Sequence, residues 1–311
     1  MCRWLAYSGS PILLDELLLK RDHSLIDQSL DSRLSETTTN GDGFGLGWYG
    51  NRPVPALFRS IEPAWNNRNL ADLARHLQSR LVFAHIRTST GSAVQQTNCH
   101  PFRHGRWLWM HNGLIHDFPR IKRDLAFAVD PALYPAIEGS TDSELFFYLA
   151  LTFGLDGDPV GAVERAVGLI ETIGREHGID NAINLTVATT NGDGMWAFRY
   201  ASDGDARSLY ISGEVETLRA QFPDNPIFEN TTEMGDDMPG AAVTAGKVIF
   251  TGSMDDLFYS DLILVWSGNP TFTQIPNAHF IHEARYKGAY IVTITPDLNP
   301  SGIHSDEWVP V

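Results

Sequence analysis

An α+β fold is what this sequence predicts, and three observations predict it. Short apolar runs of strand length recur between stretches whose apolar residues repeat at helical spacing. After an amphipathic stretch at residues 160–177 the pattern turns β-rich, with turn signals between the runs. A composition of 43% hydrophobic and 20% charged residues over 311 positions is that of a globular chain able to bury one large core or two small ones.

Taken in order, residues 3–8 read as a strand and residues 12–19 as a helix entered through Pro11. The stretch Thr39-Asn40-Gly41-Asp42-Gly43-Phe44-Gly45-Leu46-Gly47 is a glycine-rich loop leading into a strand, where backbone can approach a ligand closely. It lacks the Lys-Ser/Thr of a phosphate loop and the spacing of a dinucleotide fingerprint. Residues 69–77 read as a helix, and residues 81–87 as a buried strand ending on Arg87. Trp107-Leu108-Trp109-Met110 is a strand interrupted by His111-Asn112-Gly113, in which Asn-Gly is a common hairpin turn. Residues 118–129 are helical. Thr141-Asp142-Ser143-Glu144 opens the next helix with the T-x-x-E pattern of a capping box, Thr141 capping and Glu144 reaching back. A long helix at 160–177 is followed by strands at 183–190, 195–200 and 208–212, with Asn191-Gly192-Asp193-Gly194 as a hairpin loop. Beyond it, residues 248–250, 262–266 and 289–295 suggest further strands, and residues 228–287 read as more β structure.

Charge and cysteine content narrow the function. A formal net charge of -15 disfavours nucleic acid or an anionic membrane as a partner, since both require a positive field, so a small-molecule ligand is expected. The histidines at 100, 104, 111 and 116 lack metal-ligand spacing with companion acids or thiols, and no metal or other cofactor is expected. No run approaches transmembrane length, the first residues lack the apolar stretch of a secretory signal, and two cysteines make no disulfide framework. A reducing, cytoplasmic setting is the expectation.

The candidate nucleophile is Cys2. With Met1 removed, that residue carries a thiol and a free α-amine, a nucleophile with a general base attached. An α-amine has a reference pKa of about 7.7–8.0, so near neutral pH much of it is free to take the thiol proton. The plain alternative makes Cys2 a small buried hydrophobe. Arg87, at a strand end before Thr88-Ser89-Thr90-Gly91, is a site residue or half of a surface pair. Asn112 and Gly113 form a turn or an oxyanion hole, an amide and a backbone N–H donating into one spot. Asp142 is a helix-dipole partner or a ligand for a cation.

In this order, Cys2, Gly41-Asp42-Gly43-Phe44-Gly45, His85-Ile86-Arg87-Thr88-Ser89-Thr90-Gly91, Asn98-Cys99-His100-Pro101-Phe102, His111-Asn112-Gly113 and Thr141-Asp142-Ser143-Glu144 resemble the motifs of class II glutamine amidotransferases. The Met-Cys-Arg start is similar to that of the stand-alone branch, which includes γ-glutamyl amide hydrolases of ergothioneine biosynthesis. The resemblance covers roughly residues 1–225 and does not extend over 228–287. It implies an N-terminal nucleophile hydrolase fold, a four-layer αββα sandwich of two antiparallel sheets, taken here as a single domain over residues 1–311. It implies that Cys2 forms a thioester, that Arg87 binds the substrate α-carboxylate, that Asp142 holds the α-ammonium, that Asn112 and Gly113 form the oxyanion hole, and that Thr90 contacts substrate.

Two departures stand out. Amidotransferases of the purine and glucosamine pathways carry a histidine directly after the threonine matched by Thr90, where this chain has Gly91. The branch closes on Ser-Glu-Pro, Trp and Val-Pro, of which only Pro296 and Trp308-Val309-Pro310 return here. The expected activity is cleavage of glutamine or a γ-glutamyl amide. Its rivals are a non-catalytic amino-acid-binding module of the same fold and an ammonia-supplying subunit with an ammonia-accepting partner protein.

Overall fold

The computed structural model describes residues 2–20, 24–30, 40–89, 91–204, 206, 209–211, 247–250, 262–266, 275–294 and 299–310. Internal contacts divide the chain into two compact units, Met1–Thr251 and Gly252–Val311.

The first unit is built on two antiparallel sheets. β1 (Arg3–Leu13), β2 (Phe44–Trp48), β3 (Ala56–Ser60), β4 (Gln78–Ile86), β9 (Tyr210–Ile211) and β10 (Lys247–Phe250) form a six-stranded sheet in the order β3-β2-β4-β1-β10-β9. β5 (Phe102–His104), β6 (Trp107–Ile115), β7 (Ile183–Thr190) and β8 (Met195–Ala201) form a four-stranded sheet in sequence order. Side chains alternate across a strand, and the three cores follow that period of two. Trp4 and Ala6 of β1, Leu81 and Phe83 of β4, and Leu108 and Met110 of β6 pack together as the layer between the sheets. The intervening Tyr7, Val82, Ala84 and Ile86 turn outward onto α1 (Leu14–Leu18), onto Leu25 and Ile26 just before α2 (Asp27–Leu30), and onto α3 (Arg68–His76). Trp107 and Trp109 turn the other way onto α4 (Phe118–Phe127), α5 (Asp142–Thr152) and α6 (Pro159–Glu176). Helix, sheet, sheet, helix is therefore the layer order.

Each helical layer has a readable cause. α3 is capped by Asn67, whose Oδ1 accepts from Leu70 N at 2.8 Å. α5 is apolar around its whole circumference because it packs against β6, α4 and α6, and every residue from Ser143 to Ala150 is buried. Trp109 stacks on Phe147 with ring centroids 5.5 Å apart and meets Phe146 edge-on at 5.1 Å.

Three local expectations change. Ile12 and Leu13 extend β1, paired with Ser79 and Gln78 after a register shift beyond Ser8, so the first helix begins only at Leu14. β6 runs unbroken through His111-Asn112-Gly113 to Ile115, because Asn112 pairs with Thr186 and Gly113 with Leu185 in the middle of a sheet. Residues 228–287, read as β structure, contain the 12-residue helix α7 (Ile275–Tyr286).

The second unit differs in kind. β11 (Leu262–Trp266), β12 (Tyr290–Ile294) and β13 (Glu307–Val309) pair in parallel, joined through α7 and α8 (Pro300–Ile303). Ile281, Ala284, Ala289 and Ile291 form its described core. Asp306 accepts from Ile291 N at 2.9 Å and pairs with Arg285 at 2.8 Å, and both contacts hold its carboxyl below the usual range.

Candidate active site

The inter-sheet phase of three strands delivers three of the expected site residues. Cys2 continues the Trp4–Ala6 phase, Arg87 the Leu81–Phe83 phase and Asn112 the Leu108–Met110 phase. Arg3 pairs with Ile86, so the end of β1 lies beside the end of β4. There the Cys2 thiol sits 3.2 Å from both Thr88 N, which donates to it, and Thr88 O, which accepts from it.

Asn112 is tied to the same residue. Its Nδ2 donates to the backbone carbonyl of Cys2 at 2.6 Å, and its own carbonyl accepts from Thr186 Oγ1 at 3.1 Å. Gly113 lines the cavity beside it, and only glycine fits: an added Cβ would collide with Asn184 O and His111 Nε2.

Arg87 is 3% exposed. Its guanidinium donates to Asp42 O (3.3 Å), Ser89 Oγ (3.2 Å), Ser92 Oγ (2.7 Å) and Ala93 O (3.1 Å). Those acceptors are neutral, and among the described residues no carboxylate pairs with it. A buried cation held by neutral groups at a cavity wall is matched by an anionic ligand.

Asp142 stands at the first position of α5. One oxygen accepts from Ser143 N at 2.7 Å, the other from Ile115 N at 2.9 Å at the end of β6. The carboxylate is thereby fixed in orientation while keeping lone pairs for a further donor. Thr141 caps the helix, its Oγ1 accepting from Glu144 N at 3.2 Å. Glu144 does not complete the box. Its oxygens turn to Glu138 N (3.0 Å) and Gly139 N (2.6 Å), and burial raises its pKa despite those bonds.

Cys2, Arg87, Gly113 and Asp142 line one cavity of about 540 Å³, with Thr88, His100, His111 and Ser143 also on its wall. Thr90 lies outside the described residues. Cys2 and Cys99 are both free thiols, and burial raises the pKa of Cys99. His100, on the wall, stacks on His85 with ring centroids 4.2 Å apart. Burial, reinforced by the Arg87 charge, lowers His85 to about 3, and burial lowers His100 well below its usual value. Among the described residues no group of three or more His, Cys, Asp or Glu is placed to hold a metal ion.

Sequence reasoning assigned no role to Thr88 or Asn98. Asn98 Oδ1 accepts from Ser140 N at 2.9 Å while its Nδ2 donates to Ala93 O at 2.9 Å, joining the loop that holds Arg87 to the segment that leads into Asp142. A fully buried amide in a loop was the signal available, and only burial distinguishes it from an ordinary loop asparagine.

The sequence profile of Glutamine amidotransferases class-II matches residues 19–210. Probable glutamine amidotransferase DUG3 of Saccharomyces cerevisiae is 46% identical over 160 residues, 49% of this chain and 45% of that protein, so the chain spans under half of this relative's length. Gamma-glutamyl-hercynylcysteine sulfoxide hydrolase of Mycolicibacterium smegmatis is 32% identical over 198 residues, 62% of this chain and 80% of that one. A solved glutamine aminotransferase class-II domain protein from Silicibacter pomeroyi superposes with TM-score 0.57 at 30% identity, covering 80% of this chain and 88% of its own. A shorter match of another kind joins these: chlorate reductase subunit alpha of Ideonella dechloratans is 49% identical over 81 residues, 26% of this chain and 9% of that protein. Among the described residues no helix is long and apolar enough to cross a membrane.

Proposed function

The chain belongs to the class-II glutamine amidotransferases, and on that premise we propose that it hydrolyses the side-chain amide of glutamine or of a γ-glutamyl compound, with Cys2 as nucleophile. The observation that carries this reading is the joint cavity: a thiol, a buried guanidinium with only neutral described partners, and a fixed carboxylate.

Arg87 takes the α-carboxylate and Asp142 the α-ammonium, two opposite charges that select the zwitterionic end and hold the amide over the thiol. Once Met1 is removed, the α-amine of Cys2 accepts the thiol proton as sulfur attacks the amide carbon. Asn112 and the backbone around Gly113 receive the oxyanion. The tetrahedral species collapses with C–N cleavage, and the amine departs with the proton carried by the α-ammonium. Water then attacks the thioester, glutamate leaves, and the thiol regains its proton. The buried neutral pair His85–His100 adds no positive charge near the amine, whose basicity the mechanism needs.

Incubation with a glutamine-like diazoketone followed by peptide mass mapping tests the reading. One adduct on Cys2, lost in Cys2→Ala, is the expected result. Labelling on Cys99 alone, or none in a folded preparation, would overturn it.

A further inference from the structure

The cavity that holds Cys2 is larger than a glutamyl group requires, since about 540 Å³ is room for a drug-sized ligand. Its wall does not end at the nucleophile. Pro119 and Lys122 belong to it and also line a neighbouring hollow of about 660 Å³ on α4, which continues over Arg123, Ala126, Phe127 and Tyr134. The two spaces share those residues as a common border.

The second hollow has a defined chemistry. Phe127 is 75% exposed and Tyr134 53% exposed, two large rings lining one hollow on a surface where apolar groups of that size are ordinarily covered. Two cations accompany them. The Lys122 ammonium stands 5.5 Å from the centroid of Phe118, and the Arg123 guanidinium 5.2 Å from that of Phe127, each one helical turn from its ring. On the same helix Arg120 is paired with Asp117 at 3.0 Å. Among the described residues neither Lys122 nor Arg123 has a carboxylate partner, although the chain carries 38 acidic residues against 23 basic ones. Aromatic and aliphatic surface beside two uncompensated cations recognises an apolar body that ends in an anion.

We propose that this hollow receives the leaving group of the substrate, and that the leaving group is an apolar or aromatic α-amino acid with a free carboxylate. The inference rests on the amide-hydrolase reading of the Cys2 site and names its substrate class: a γ-glutamyl amino acid. The γ-carbonyl of its glutamyl half reacts at Cys2. The side chain of the second residue lies on Phe127 and Tyr134, and its carboxylate meets Lys122 and Arg123. The C–S bond forms first, and the C–N bond breaks when the tetrahedral species collapses. The amino acid leaves with its nitrogen carrying the proton that came from the thiol, and water cleaves the thioester to give glutamate and restore the thiol.

Three substrates test it on the full chain: γ-glutamyl-phenylalanine, γ-glutamyl-phenylalaninamide, which lacks only the carboxylate charge, and glutamine. In the unaltered protein kcat/KM for the acid should exceed that for the amide at least tenfold. In Lys122→Gln/Arg123→Gln that ratio should collapse toward one, chiefly through KM for the acid. Phe127→Ala should raise KM for both phenylalanine compounds and leave their ratio standing. All three positions are exposed, and an unchanged melting temperature in each variant excludes misfolding. Equal rates for acid and amide in the unaltered protein, or a ratio the double substitution leaves in place, would refute the assignment, as it would if the hollow served a protein partner or a second copy instead. Glutamine hydrolysed through Cys2 alongside that result leaves the parent reading intact. Glutamate released from none of the three overturns both.

Discussion

The side-chain amide of Asn112 donates to the backbone carbonyl of Cys2 across 2.6 Å, joining β6 of one sheet to the first described residue of the other. The bond fixes the backbone of the proposed nucleophile, beside the oxyanion role proposed for Asn112. Asn112→Ala should lower kcat for glutamine hydrolysis by about 10²–10³, the usual cost of one oxyanion-hole donor. A kcat within tenfold of the parent in a folded variant would remove Asn112 from the proposed catalytic set.

Cys2→Ala should abolish turnover with the melting temperature unmoved, because the thiol is half-buried and its hydrogen bonds to the Thr88 backbone are the weak ones of sulfur. Cys99→Ala should do the reverse, keeping activity and losing about 1 kcal/mol of stability from a small cavity. Activity should also track the fraction of chains whose first residue is Cys2, measured by intact mass. A preparation retaining Met1 at full rate would place the general base elsewhere.

Arg87→Lys should raise KM for glutamine more than tenfold, since an ammonium cannot reproduce the fork now held by Ser92 Oγ and Ala93 O. Asp142→Asn should impair glutamine yet spare a substrate without the α-amine. Equal losses on both would reduce Asp142 to a partner of the α5 dipole and of Ile115 N.

Stability should fall on acidification. His85, at about 3 when folded against about 6.5 when unfolded, stays neutral in the native protein, so between those values the unfolded chain binds more protons. His100 shifts in the same direction. The His85 contribution is complete above about pH 6.5 and is lost as pH falls toward 3, at about 1.4 kcal/mol per pH unit, and that of His100 has the same sign. Thermal unfolding at pH 7 and pH 5 checks the sign, and a flat melting temperature across that interval contradicts it.

Asn98→Ala should raise KM before it lowers kcat, because it frees Ala93 O and Ser140 N, which support the two charge-binding residues rather than the thiol. Equal effects on kcat and KM, or a loss of fold alone, would show that Asn98 serves stability only.

The strands that shape the site were legible where both faces are buried. Leu81–Arg87 and Ile183–Thr190 are strand-length runs covered on both sides, and the observed strands match them closely. The Asn112-Gly113 pair misled because a turn propensity is local, whereas its pairing with Thr186 and Leu185 comes from residues seventy positions away. Ile12 was drawn out of a helix in the same way, by Ser79 across the sheet. Glu144 left its cap because two loop N–H groups offered better-placed donors than the Thr141 backbone. The second unit was hardest to read: α7 begins at Ile275-Pro276 with no acidic residue in its first turn. No spacing in the chain shows that Lys122 borders the same space as Cys2. That adjacency arises only when α4 packs beside the end of β6.

β1 lies between β4 and β10, inside the six-stranded sheet rather than at its edge, with Arg3 opposite Ile86. Hydrogen bonds on both flanks therefore set which of two consecutive residues looks into the cavity. A slip of one position would send the Cys2 thiol toward the helices and bring Arg3 in its place. Reactivity at this site is thus a property of strand alignment as much as of thiol chemistry. Substitutions that loosen that alignment along β4, far from any ligand, should silence the enzyme while every residue of the cavity remains chemically unchanged.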